Sequence, residues 1–186
     1  MYTTYTGEQV RIRSYASKEE GFELVRQLHL NLIPAWGPLW FPLGNIADDW
    51  NENGWMDSKA LGFAIEDLAS GQTAGYVDLN PPGIQRLDAI VSTFILPQFR
   101  RKGIGIEAKR LALCCLFENF TAQRATAITL SNHTAARRGL ELCGFIHEGS
   151  LYGTSFSEGQ REDKVFYVLT RDQWAGMEYR EAVKRG

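Results

Sequence analysis

The residues with the clearest chemical potential are Arg100, Arg101, Lys102, Gly103, Ile104 and Gly105, a basic run that ends in Gly-x-Gly. Their chemistry is anion holding. Glycines let a backbone come close to a ligand, and the first amides of a following helix have no partners inside that helix. With the helix dipole behind them and three cations beside them, such amides suit a diphosphate. An apolar stretch from Ala89 to Leu96 precedes the run, Pro97 closes that stretch, and a helix-like stretch follows from Ile106 to Phe120. The turn is therefore expected between a strand and a helix. Two other phosphate-binding patterns do not fit. A Walker loop needs Gly-Lys followed by Ser or Thr, whereas Gly105 is followed by Ile106 and Glu107. The dinucleotide fingerprint Gly-x-Gly-x-x-Gly meets Ala108 at its third glycine, and an antiparallel hairpin precedes the turn.

The surrounding elements follow from hydrophobic period and turn residues. Val10 to Tyr15 alternates as a half-buried strand. Ser17 and Glu20 have capping-box spacing and open a helix to about Leu32, before Pro34, Pro38 and Pro42 interrupt regular structure. A weaker helix is expected from Ile46 to Glu52. Strands at Leu61–Asp67 and Ala74–Leu79 flank a Gly-containing turn and form a hairpin, with a third strand from Asp88 to Leu96. A helix over Gly105–Phe120, a strand over Ala125–Leu130 and a helix over Thr134–Cys143 come next. A strand over Lys164–Leu169 and a terminal helix over Trp174–Lys184 complete the order β-α-α-β-β-β-α-β-α-β. This is α/β with a mixed sheet, antiparallel first and locally parallel near the phosphate turn.

Composition bounds the partners. The 186 residues have 44% hydrophobic and 23% charged content, and residues 1–186 are expected to form one domain. A net charge of -2 excludes a molecule held on nucleic acid by overall electrostatics. The patch at 100–102, with Lys109 and Arg110, fits a small anion. Cys114, Cys115 and Cys143 lack metal-ligand spacing and read as buried thiols, so no metal is expected. Neither a membrane-spanning run nor a signal peptide is evident, which makes the cytoplasm the expected compartment.

Arg100 to Gly105 resembles the acyl-CoA-binding signature of the GCN5-related N-acetyltransferase (GNAT) superfamily: Gln or Arg, two residues, Gly, one residue, Gly or Ala. The strand ending at Ile95-Leu96-Pro97 and the element order are also similar, over roughly residues 10 to 170. Ala135-Ala136-Arg137-Arg138-Gly139-Leu140-Glu141-Leu142-Cys143-Gly144-Phe145 looks like a helix of the branch that acetylates ribosomal-protein N-termini. Glu148-Gly149 and the pair Asp163 and Tyr167 fit that branch too. Other members of the branch modify small amines.

This resemblance implies a mainly antiparallel central sheet with helices on both faces, and acetyl-CoA as cofactor. The amides from Arg101 to Ile106 would hold the diphosphate, and the side chains of Arg100, Arg101 and Lys102 would meet the phosphates from outside. The backbone of Phe94 and Ile95 would pair with the pantetheine arm, and the Ile95 amide would stabilise the oxyanion. Asn132, His133 and Arg138 complete the expected cofactor set. The chain departs from the family pattern at two chemical positions. Leu140 stands where a tyrosine acid is common, leaving Tyr152, Ser131 and Cys143 as substitutes. Ile90 stands where a glutamate base is common, leaving Asp88 and Asp78. Trp36, Trp40, Trp50 and Trp55 crowd one segment, and Trp36, Trp40 and Tyr76 are the expected acceptor-binding residues. The expected acceptor is a small amine or a peptide N-terminus. Two alternatives stay open: another acyl donor, including aminoacyl-tRNA, and a non-catalytic acyl-CoA sensor. A homodimer is left open as well.

Overall fold

A computed structural model describes residues 4–36, 61–80, 87–157 and 159–186. Among these residues nine strands form one sheet, and the following are its elements in chain order. Strands β1 (Tyr5–Thr6) and β2 (Val10–Arg13) lead to helix α1 (Lys18–Trp36). Strands β3 (Leu61–Asp67), β4 (Thr73–Asn80) and β5 (Asp88–Ile95) form a meander, and a 3-10 turn at Pro97–Phe99 leads into helix α2 (Ile104–Asn119). Strand β6 (Arg124–Leu130), helix α3 (Thr134–Leu142), the long hairpin β7 (Ile146–Ser157) and β8 (Gln160–Thr170), helix α4 (Arg171–Ala175) and β9 (Lys184–Arg185) complete it. The spatial order is β7-β8-β6-β5-β4-β3-β2-β1-β9. Every pairing is antiparallel except β5 with β6, as a strand–helix–strand crossover requires.

The two faces of this sheet carry different helices. Arg13 reaches Glu20 of α1, and Thr73 bonds the same carboxylate, which fixes α1 on one face. On the other face Val10, Ile12, Val77 and Leu79 are fully buried in the core that α2 shares. From Leu111 to Phe117 every residue of α2 is buried. The sheet covers one side of the helix, and the C-terminal segment covers another. Trp174 packs on Phe117 with ring centroids 5.1 Å apart. The Arg171 guanidinium caps the end of α2 by donating to the carbonyls of Phe117, Phe120 and Ala122. Helix α3 lies beside α2 on this same face, where Gly139 passes Ile106 and Arg110 donates to the Leu142 carbonyl. No described helix is long and apolar enough to cross a membrane.

Two expectations change, and one long strand is new. The terminal helix over Trp174–Lys184 is a short helix, a 3-10 turn and a strand. The Thr170–Gln173 capping box starts α4 early and Gly176 ends it. The long strand β7 escapes the pattern because register shifts at His147/Gly149 and Leu151/Ser155 break its alternation. Helix α1 runs past Pro34 to Trp36; a proline there removes one amide bond of the last turns only. The helix expected over Ile46–Glu52 lies outside the described residues.

Candidate active site

The turn after Pro97 is built to expose amides. Arg101 and Gly103 both have left-handed backbone, with φ of 61° and 83°. For arginine that conformation costs on the order of 1–2 kcal/mol. Ile106 and Glu107 both donate their amides to the Gly103 carbonyl, so helical bonding starts with them. The amides of Arg101, Lys102, Gly103, Ile104 and Gly105 have no acceptor among the described residues. The free set is therefore one residue shorter than the sequence implied, because Ile106 is already bonded. A Cβ on Gly105 would lie 3.1 Å from Ile95 Cγ1, so glycine lets this end of α2 press against β5.

Beside the turn, the sheet opens. Strands β5 and β6 pair only at Asp88 with Arg124, Ala89 with Ala125 and Ile90 with Thr126. Beyond that point β5 stays on β4, and β6 stays on β8 as far as Leu130. The Leu96 amide donates to the Ala74 carbonyl, and antiparallel bonding alternates along the strand. Phe94 and Ser92 therefore direct their main-chain groups at β4, while Thr93 and Ile95 direct theirs into the opening. This corrects the expectation for Phe94, whose backbone is already in the sheet, and adds Thr93. The Ile95 carbonyl accepts from Arg100 Nε at 2.9 Å, which leaves the Ile95 amide free.

Lys109 approaches the same place from α2. Its ammonium donates to Thr93 Oγ1 at 2.7 Å, and burial lowers its pKa from the ordinary lysine value. Cys143, at the end of α3, is its ionisable neighbour, and burial raises that thiol.

On the α1 face, Asp78 stands opposite Ser92, the neighbour of Thr93. Asp78 lies in crowded surroundings, and burial pushes its carboxyl up to about 7. Gly62 leaves the room it occupies: a Cβ there would meet Tyr15 Oη at 2.9 Å and Asp78 Oδ1 at 3.2 Å. Tyr76 faces Phe94 with ring centroids 5.7 Å apart, and burial, then the Asp78 charge, raises its hydroxyl. A groove nearby, lined in part by Glu20, Glu23, Thr73 and Leu96, offers no unpaired carboxylate. Arg13 holds Glu20, and Arg26 holds Glu23.

The far wall of the opening is the corner between β6 and α3. His133 opens α3, and its Nδ1 lies 3.3 Å from Thr129 Oγ1. Burial, then the Arg100 charge, lowers its imidazole. Asn132 sits in the preceding turn, its carbonyl accepting from the Thr134 amide. Arg138 is exposed and pairs with Glu141. Arg137 instead reaches Tyr167, whose hydroxyl bonds Glu141, and so ties α3 to β8.

Other candidates lie elsewhere. Asp88 begins β5, about 17 Å along the strand from Thr93 at 3.4 Å per residue. It is held there by Thr126 and Arg124, so it is a pairing residue of the strand start. Tyr152 is 83% exposed on the projecting hairpin. Ser131 donates to Glu162, and Cys143 to the Ile106 carbonyl, so neither is free as an acid. Leu140 is buried. Trp40 and the Trp36 side chain lie outside the described residues. Sequence reasoning missed Thr93, Gly62 and the hydrogen bond from Lys109 to Thr93. The strand alternation held a signal for Thr93; nothing local marks the other two.

These features fit an acyl-CoA: five free amides for the diphosphate and an unpaired strand edge for the arm. Comparison with known proteins agrees. The acetyltransferase (GNAT) domain family matches residues 34–146. YdaF of Bacillus subtilis (strain 168), a candidate ribosomal N-acetyltransferase, is 26% identical over 131 residues, 70% of each chain. The spermidine N-acetyltransferase of Vibrio cholerae, solved with CoA and spermine, superimposes with a TM-score of 0.78 at 20% identity. That match covers 90% of this chain and 99% of the other. The microcin C7 self-immunity acetyltransferase MccE, solved with acetyl-CoA and AMP, gives 0.66 at 20% identity over 88% and 93%.

Proposed function

The chain belongs to the acetyltransferase (GNAT) domain family, and from that premise we propose that it moves an acetyl group from acetyl-CoA to a primary amine by direct attack on the thioester. The observation that carries this reading is the opening between β5 and β6 beside five unbonded amides. The Arg101 to Gly105 amides hold the diphosphate, with Arg100, Arg101 and Lys102 adding charge. The arm runs along β5, meeting the Ile95 amide first. The Thr93 amide is next, about 7 Å further at 3.4 Å per residue. Because the thioester ends that arm, the Thr93 amide takes the oxyanion role that the sequence assigned to Ile95. Asn132 and His133 line the opposite wall.

The acceptor approaches from the α1 face, where Asp78 is the base. Its carboxylate takes the proton of the attacking amine through water, and Tyr76 and Phe94 shape the approach. Trp36 and Trp40 belong to the segment that would extend this wall. The whole chain, residues 1–186, acts as one catalytic domain, and its three buried free cysteines suit the cytoplasm. The sequence from Ala135 to Phe145 and the likeness to YdaF favour a peptide N-terminus as acceptor, with polyamines as the competing class.

A panel of N-terminal peptides, polyamines and aminoglycosides, each incubated with acetyl-CoA and read by free thiol, tests the function. The expected result is thiol release that depends on one amine class, with the peptide ranked first. Release no faster than hydrolysis for every amine overturns it.

A further inference from the structure

We propose that Lys109 is the general acid that protonates the thiolate leaving the acyl donor, working from the α2 and α3 side of β5 while the amine attacks from the α1 side. This inference rests on the acyl-CoA reading of the cleft given above. Thr93 is the common point. Its main chain faces the opening, its side chain faces α2, and its hydroxyl accepts the Lys109 ammonium at 2.7 Å.

The ammonium is oddly provided for. Among the described residues no carboxylate lies within salt-bridge distance of Lys109. A half-buried cation without an anion is unfavourable unless an anion arrives. The surrounding titratable and charged groups do not supply one. From α3, Cys143 has its thiol raised by burial and stays neutral. On α2 itself, Glu107 accepts from the Glu8 and Gln9 amides, and Arg110 donates to Leu142 while stacking on Tyr179. From β2 and β4 come the apolar Val10, Ile12, Val77 and Leu79. Arg100 and His133 stand at the mouth of the opening, and both are basic.

The site therefore awaits a negative group at the level of Thr93, one strand repeat beyond Ile95 and away from the phosphate turn. In this reaction a thiolate forms there. As the carbon–sulfur bond breaks, its electron pair goes to sulfur, and Lys109 gives the proton that makes the free thiol. The resulting amine regains a proton from solvent when the cleft empties. Burial lowers the Lys109 pKa from the ordinary lysine value, which eases the release of its proton. Leu140, where the family resemblance implies an acid, is apolar and leaves this role vacant.

The test compares CoA with its sulfur-free analogue, desulfo-CoA, by calorimetry across pH, in the wild type and in Lys109→Met. In the wild type the preference for CoA is expected to grow as pH rises toward thiol ionisation; in Lys109→Met it is expected to stay flat. In turnover, Lys109→Met should lose about 100-fold in kcat with little change in KM for acetyl-CoA, the range for a lost general acid. Lys109→Arg, which keeps the charge but does not release its proton, should stay low. A wild type with no pH-dependent preference, or a Lys109→Met variant within threefold of wild-type kcat, overturns the inference alone. Failure of both CoA and desulfo-CoA to bind the wild type overturns the acyl-CoA reading and this inference with it.

Discussion

The two sides of β5 solve different problems by different means. Toward α2 and α3 the protein offers mostly main chain: five amides of the turn and the edge groups of Thr93 and Ile95. Toward α1 it offers Asp78, among Tyr15, Tyr76 and Phe94, while Glu20 and Glu23 are held by arginines. A backbone site depends on local conformation, so it tolerates many side chains and is sensitive to a few glycines. A side-chain site depends on burial, since crowding rather than a partner gives Asp78 a pKa of about 7. Donor holding and acceptor chemistry should therefore fail separately.

The largest effect is expected at Gly103. Its φ of 83° is unfavourable for any side chain, and a glutamate there would bring negative charge against the diphosphate. Gly103→Glu should abolish acetyl-CoA binding by calorimetry while the thermal midpoint drops modestly. Retained affinity would remove the turn from the donor site.

Asp78→Asn should do the reverse, leaving acetyl-CoA affinity unchanged and lowering kcat roughly 100-fold, as loss of a general base does. In the wild type Asp78 is protonated below pH about 7 and cannot accept a proton. The wild-type kcat/KM should therefore rise as pH increases through that value, and the variant should lose this limb. Stability runs the other way. An unfolded aspartate titrates near 3.9, so between there and 7 the folded state binds more protons, and stability falls as pH rises. Asp78→Asn should melt higher than the wild type at pH 8 and about equally at pH 4. An unshifted pH profile would take the base away from Asp78.

The same contrast explains what could be read before the structure. The turn was readable because its information is local: Pro97, three cations and two glycines within nine residues. The meander and the crossover followed from period and turn chemistry. The free edge at Thr93 required knowing where β6 stops pairing, which depends on residues more than thirty positions away. Asp78 was named as one of two carboxylates, and only burial separates it from Asp88, which lies at the paired end of β5. Gly62 matters because Tyr15 and Asp78 converge over it from other strands, and no local pattern records such a convergence. Arg101 has left-handed backbone although arginine carries no preference for it; the tight connection from Pro97 to α2 imposes it.

The smallest effect is expected at Arg100, where the two walls of the opening meet. Its Nε donates to the Ile95 carbonyl and its guanidinium lies 5.9 Å from the Phe94 ring centroid. The exposed end of that group faces solvent, so its attraction for phosphate is screened. Arg100→Ala should raise KM for acetyl-CoA only a few-fold and leave kcat nearly unchanged, because the five free amides beyond it in the turn remain. The sharper readout is His133. Burial is the first cause of its lowered pKa and the Arg100 charge the second. Removing the arginine should therefore raise the imidazole pKa in an NMR titration, while burial keeps it below the usual histidine value. Added CoA should raise it further by placing phosphate between the walls. An imidazole indifferent to both changes would mean that the corner of β6 and α3 does not face the donor, and the opening would have one wall instead of two.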